Sequence, residues 1–251
     1  MINVQHWKFF LLACLFFPEL AVSQFNPAGE EWVYKVSKDG NEAAEITFQT
    51  DKQLQNLNNT KCYKITTQAR ITAFLGVVNV DNKITSWVEN QRFKAQKVHI
   101  YYDDGKSKNN YIVESKPQQK QIEAYSLEKP KEKRLFPWIA DCEDIWSVFF
   151  QIRQKDFSKL KPNETFSYCL IANENGSKEI VLKYLGKKEM SLGNKTQDCY
   201  ILSWVSPNID DVEINSIRIA ITADKNQMPA KMYAKTKKGF FLGELKSFNK
   251  K

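Results

Sequence analysis

The strongest constraint on the fold is a period-two alternation of apolar and polar residues that recurs between short turns along most of the chain. Tyr63, Ile65, Thr67, Ala69 and Ile71 alternate with Lys64, Thr66, Gln68 and Arg70, and Ile217, Ile219 and Ile221 are set against Ser216, Arg218 and Thr222. Successive side chains of a strand point to opposite faces, so the pattern predicts strands with one dry and one wet face. The same reading applies to 31–36, 44–50, 77–89, 94–103, 110–115, 121–126, 164–172, 179–189, 197–205, 230–235 and 240–248. Asp39-Gly40, Asp104-Gly105, Asn175-Gly176 and Lys238-Gly239 suit tight hairpins. Links this short leave no room for the crossovers that parallel strands need, so the expected topology is an antiparallel meander.

One segment departs from the pattern. Residues 141–154 (DCEDIWSVFFQIRQ) set Ile145, Val148, Phe149 and Ile152 at helical spacing. Asp141 reads as the N-cap, with Glu143 and Asp144 in the first turn, where acids suit the helix dipole. A lone amphipathic helix within a meander must bury its stripe against a sheet. The predicted class is therefore mainly β: one strongly curved sheet, a barrel or half-barrel, with the helix against its concave side or closing an end. Two small β domains joined by 127–162 are the alternative. A single unit over 24–251 is preferred, because neither half offers a complete core.

The N-terminus has the layout of a secretory signal. A polar start with one cation, Lys8, is followed by nine apolar residues (FFLLACLFF), Pro18-Glu19, and Ala21-Val22-Ser23 before Gln24. Crossing a bilayer takes roughly 20 apolar residues. The run therefore reads as a signal peptide over 1–23, cleaved after Ser23, with no transmembrane anchor left behind. Leu11-Leu12-Ala13-Cys14 faintly resembles a lipoprotein box, but a cut there would leave much of the apolar run attached.

The mature chain keeps the net charge of +8, since the cut removes one cation and one anion. A basic exported surface favours anionic partners such as lipid headgroups. The lysines are scattered, however, with short clusters only at 129–134 and 235–238, which reads as a solvated surface. Nucleic acid is not expected as a partner, because no binding motif is present. Cys62, Cys142, Cys169 and Cys199 permit two disulfides in three connectivities, or remain as buried thiols.

Chemistry is thinly represented. His99 is the one histidine after the cut, on a strand-like run, and a histidine-based metal centre usually takes two or three. No metal site, cofactor or catalytic constellation is predicted. The adjacent acids Asp103/Asp104, Glu143/Asp144 and Asp210/Asp211 are the available pairs for glycoside hydrolysis, but all lie at turns or a helix start, where acids are routine.

Four stretches carry a family resemblance: 29–36 (GEEWVYKV) with 43–45 (AAE); 157–166 (FSKLKPNETF); 181–187 (VLKYLGK); and 228–232 (MPAKM) with 243–248 (GELKSF). In this order and spacing the chain resembles the bacterial exported proteins grouped as domain of unknown function 3108. One departure is the strand before Met228-Pro229. The family usually has a Trp and paired acids there, where this chain reads Ile219-Ala220-Ile221-Thr222-Ala223-Asp224. The resemblance implies a protein of the Gram-negative periplasm. It supplies no reaction and no site residues.

A curved sheet closed by a helix makes an apolar pocket. The first expectation is therefore a non-enzymatic envelope protein holding an apolar or lipid ligand, with Trp138, Ile145, Trp146, Phe149 and Phe150 as lining candidates. The alternative is a structural or assembly partner in the envelope, acting through strand edges or the basic surface. An enzyme is the least expected reading.

Overall fold

The computed structural model describes residues 25–72, 79–103, 107–137, 142–173, 176–205, 217–237 and 239–251. The signal peptide expected over 1–23, Trp138, Asp141, Asp104 and the Asp210/Asp211 pair lie outside them, as do parts of three hairpins expected above, at 104–105, 175 and 238.

Among the described residues, sixteen strands and one α-helix follow in chain order: β1 (Glu30–Lys38), β2 (Asn41–Thr50), β3 (Gln55–Leu57), β4 (Thr60–Thr72), β5 (Asn79–Glu89), β6 (Ala95–Asp103), β7 (Lys108–Lys116), β8 (Gln121–Ser126), β9 (Arg134–Pro137), β10 (Cys142–Glu143), α1 (Ile145–Arg153), β11 (Thr165–Asn173), β12 (Gly176–Leu192), β13 (Lys195–Trp204), β14 (Ile217–Thr222), β15 (Pro229–Thr236) and β16 (Gly239–Lys250). All belong to one sheet, in the order β10-β11-β12-β13-β14-β15-β16-β1-β2-β4-β5-β6-β7-β8-β9, with the short β3 paired on β4. Strands from both halves of the sequence therefore share one continuous ladder. Its centre is the pairing of the first strand with the last, from Glu30 opposite Lys250 to Lys38 opposite Phe241.

The chain leaves this centre through β2, fans out to the edge at β9, and returns from the opposite edge at β10. Only four residues separate Pro137 from Cys142. An extended chain spans at most about 3.6 Å per residue, so the two edges lie within about 18 Å of each other and the sheet must curl. β9 and β10 do not pair, so the sheet is curved but not closed.

The expected hairpin at Asp39-Gly40, the one that lies wholly among the described residues, is formed. Asp39 and Gly40 both hold positive φ (49° and 82°), which a two-residue turn matched to strand twist requires. Asn58 and Asn59, at φ 50° and 64°, do the same between β3 and β4. One pairing departs from the meander: β10 runs parallel to β11, with Cys142 opposite Cys169. The crossover that this needs is α1 itself.

The helix is shorter than its sequence pattern, and its cap is a different aspartate. Asp144, not Asp141, is the N-cap, its carboxylate accepting from Ser147 N at 2.7 Å. Cys142 and Glu143 cannot be helical, because a disulfide from Cys142 to Cys169 holds them as a strand. From this start α1 is buried on nearly every side. Val148, Phe149 and Ile152 meet Ile180, Leu182, Leu202 and Ile219 of the C-terminal strands. Phe150 instead joins Trp32, Tyr34, Phe48, Tyr63 and Ile65 of the N-terminal strands. The helix thus fills the concavity between the two halves of one sheet.

Candidate functional site

The helix residues proposed as ligand lining form core. Phe149 and Phe150 are buried, and Ile145 and Trp146 pack partly buried against the same clusters. Trp146 lies edge-on to Phe48, with ring centroids 4.5 Å apart. The space left between Trp32, Phe48, Thr50, Ile65, Trp146 and Phe150 is only about 10 Å³. That is scarcely the room one water needs. Aromatic side chains with no other apolar surface to meet have closed the space that a ligand would occupy.

Beside this core lies an ion pair that the sequence reading missed. Arg153, at the C-terminal end of α1, meets Glu30 of β1 through two nitrogens at 2.6 and 3.1 Å. Both side chains are almost wholly buried, at 1% and 3% exposure. Arg153 Nε donates to Asn226 O at 3.0 Å, Trp32 Nε1 donates to Glu30 at 3.2 Å, and the rings of Phe25 and Trp32 face the guanidinium at 4.6 and 4.8 Å. The polar atoms are satisfied, so the arrangement joins helix, first strand and the turn at 226 rather than awaiting a ligand. Burial also pushes the Tyr34 phenol far above its ordinary range, against the pull of Arg153, and the hydroxyl donates to Pro229 O at 2.6 Å. One signal was available: Glu30 has the parity of Trp32 and Tyr34, which places it on the dry face.

The acid pairs separate. Glu143 is buried and accepts from Ala95 N at 2.7 Å. Asp144 caps the helix, and burial raises its carboxyl above the usual range, with Ser147 and Ser86 hydroxyls nearby working the other way. Neither hydroxyl makes a well-aligned hydrogen bond. Asp103 accepts from the Tyr101 hydroxyl at 3.2 Å. His99 Nε2 lies 2.6 Å from Asn110 Oδ1, so an amide rather than a carboxylate faces the imidazole. Among the described residues no three His, Cys, Asp or Glu side chains converge as a metal site would require, and no helix is long and apolar enough to cross a membrane. The cysteines form one bridge, Cys142–Cys169, while Cys62 and Cys199 stay as buried thiols. The connectivities with two bridges are thereby corrected. Burial, and the charge of Glu89, push the Cys62 thiol up to about 11, which leaves it inert at neutral pH.

The concave face continues past the helix. Register carries it from Trp32 and Phe48 through Thr67 and Ile84 to Ile100, Tyr111 and Ser126. Beyond β4 several apolar members of this face, Ile84, Val98, Ile100, Tyr111 and Val113, are only half-buried, while Val88, Ile122 and Ala124 are buried. Here a groove of about 590 Å³ runs over Ile100, Tyr111, Val113 and Ala124, with Lys129, Glu132, Lys133 and Arg134 at its rim. Its floor is apolar, and at its rim Lys129 pairs with Glu132 at 3.4 Å and Lys133 with Glu123 at 2.8 Å. A second opening of about 790 Å³ lies at the seam between Phe93 and β11, but it is walled mainly by polar chains such as Gln91, Arg92, Gln151 and Gln154. The groove over β6–β8 is the candidate site. The 129–134 cluster seen in the sequence forms its rim, whereas the helix residues chosen as lining lie outside it.

The chain belongs to the family described as protein of unknown function (DUF3108), whose model matches residues 33–246. No curated protein matches the sequence. Among solved structures, a β-barrel-like protein of unknown-function domain DUF1849 from Brucella abortus aligns with a TM-score of 0.59 at 6% identity, covering 90% of this chain and 99% of that one. At that identity the likeness is one of fold alone. A candidate lipoprotein of Parabacteroides distasonis aligns at a TM-score of 0.37 and 14% identity, over 90% of this chain and 96% of that one. A candidate exported protein of Bacteroides fragilis with a YmcC-like fold also gives 0.37, at 10% identity, over 90% and 97%. Scores this low bear no weight.

Proposed function

We propose that this protein is exported to the bacterial envelope and, without catalysing a reaction, holds an amphiphile in the concave groove over β6–β8. The observation that carries this reading is the change along one face of one sheet. Where α1 covers the face, it is closed to about 10 Å³; where α1 ends, the same face leaves several apolar side chains half-exposed under a rim of charged side chains. A groove of about 590 Å³ is within the roughly 300–1,000 Å³ typical of small-molecule sites. Burying its floor under an acyl chain is favourable at about 25 cal/mol per Å² of apolar surface. At the exposed rim Lys129 and Lys133 are held by Glu132 and Glu123, weak surface pairs that an acidic headgroup can replace. The periplasm of a Gram-negative bacterium is the proposed location, in keeping with the leader at 1–23.

The test is mass spectrometry of organic extracts from protein purified without detergent. A stoichiometric fatty acid or acidic lipid is expected. An extract free of lipid, together with no uptake from a lipid mixture, contradicts the proposal.

A second reading rests on the sheet edge. β9 is the last strand of the ladder, and its Leu135 is 56% exposed. An uncovered edge accepts a partner strand. Crosslinking in cells distinguishes the two, since edge pairing gives discrete protein adducts through β9 and ligand holding gives none.

A further inference from the structure

The convex side of the same strands carries a feature that neither reading uses. On β4–β7 the outward residues fall into three cross-strand rows. Lys64 stands opposite Trp87, Thr66 opposite Thr85 and His99, and Lys83 opposite Tyr101 and Asn110. Thr66 and Thr85 of the middle row are short between Trp87 and Lys64 on one side and Lys83 and Tyr101 on the other, and the eight residues line a trench of about 440 Å³. Trp87 and Lys83 are four residues apart on β5, about 13 Å at strand spacing. Subtracting roughly half a ring or side-chain width on each side leaves a slot about as wide as one pyranose ring.

The trench walls are fixed in place. Trp87 Nε1 donates to Gln55 Oε1 at 2.9 Å, and Gln55 Nε2 donates to Asp51 at 3.0 Å. Lys97 lies over the Trp87 ring at 5.6 Å and Lys108 over the Tyr101 ring at 5.4 Å, each cation bracing one aromatic plate. His99 is held by Asn110. Such bracing lowers the ordering cost that a ligand would otherwise meet.

The lining has two aromatic plates, two threonine hydroxyls, an amide, an imidazole and two lysines, and no carboxylate. The acids around the rim are engaged: Asp51 by Gln55 and Lys64, Asp103 by Tyr101, and Glu128 by Ser126. Aromatic plates offer apolar faces to the C–H side of a sugar, hydroxyls and amides answer its hydroxyl groups, and the lysines favour a negative charge, Lys83 directly and Lys64 by exchanging its 3.8 Å contact with Asp51 for the ligand. We infer that this trench binds a segment of an acidic polysaccharide, with Trp87 and Tyr101 as stacking plates and Lys64 and Lys83 as carboxylate partners. This site is separate from the concave groove, on the opposite face of the sheet.

The experiment is calorimetric titration of the intact protein with three probes: trigalacturonic acid, neutral galactotriose and inorganic tripolyphosphate. Trigalacturonic acid is expected to bind at least tenfold more tightly than either of the others. Trp87→Ala should weaken it at least tenfold. Lys83→Glu, at an exposed position that leaves the fold intact, should do the same without changing thermal unfolding. The inference is overturned if tripolyphosphate binds as well as the acidic sugar, if no probe binds, or if Lys83→Glu leaves trigalacturonic acid binding unchanged.

Discussion

Two buried charged residues set how single substitutions act. Arg153 and Glu30 are nearly inaccessible, and each satisfies the other through two hydrogen bonds. Removing one partner leaves an uncompensated buried charge, so Glu30→Ala is expected to cost about 3–5 kcal/mol in urea unfolding. Combining it with Arg153→Met should cost clearly less than the sum of the single changes, and strict additivity would show that the pair is not coupled. Asp144 behaves differently, because burial raises its carboxyl. The unfolded chain then releases this proton at lower pH than the folded one. The stability held by the protonated folded form is complete below the unfolded value, and is lost as pH rises through the folded value. Asn caps a helix as well as Asp and carries no charge. Asp144→Asn should therefore gain on the wild type as pH is raised from the acid range to neutrality, whereas Asp144→Ala should lose about 1 kcal/mol with the cap. Urea titrations at pH 4 and pH 7.5 read both effects; a gap between Asn and wild type that does not move with pH would contradict the account.

At the scale of elements, the disulfide and the helix act together. Cys142 and Cys169 are 27 residues apart and enclose α1 and the turn after it. Closing a loop of that length stabilises by about 3.5 kcal/mol in the chain-entropy model. A Cys142→Ser/Cys169→Ser variant should lose about that amount, and thiol titration of the unfolded, unreduced mature protein should find two reactive groups, Cys62 and Cys199. Finding none would mean a second bridge. The helix was legible from the spacing of Ile145, Val148, Phe149 and Ile152, but its start was not. The choice between Asp141 and Asp144 as cap depends on a cross-link to a strand 27 residues away, which no local pattern records. The parallel pairing of β10 with β11 was hidden for the same reason, since two residues are too few to show a period.

For the whole molecule, alternation gave the longer strands, their faces and their antiparallel order, because each is fixed by neighbours in sequence, but not the short β3, β9 and β10. It did not give the pairing of β1 with β16, which joins residues over 200 positions apart at the centre of the sheet. Nor did it show where the interior would be full. The aromatic residues of α1 were the natural choice of lining, yet a nine-residue helix covers only part of a concave face that runs on to β8. Which part stays open depends on where the returning strands set the helix, and that is a property of the closed chain path. The proposal that the uncovered part, over Ile100, Tyr111 and Val113, holds an amphiphile rests on this unevenness. The most direct measurement is titration of a fluorescent fatty acid into wild type and Val113→Glu, a substitution in the half-exposed floor of the groove. Saturable binding to wild type, weakened at least tenfold in Val113→Glu at unchanged thermal stability, is the predicted result. Equal binding by the two proteins, or none by wild type stripped of lipid, would contradict it.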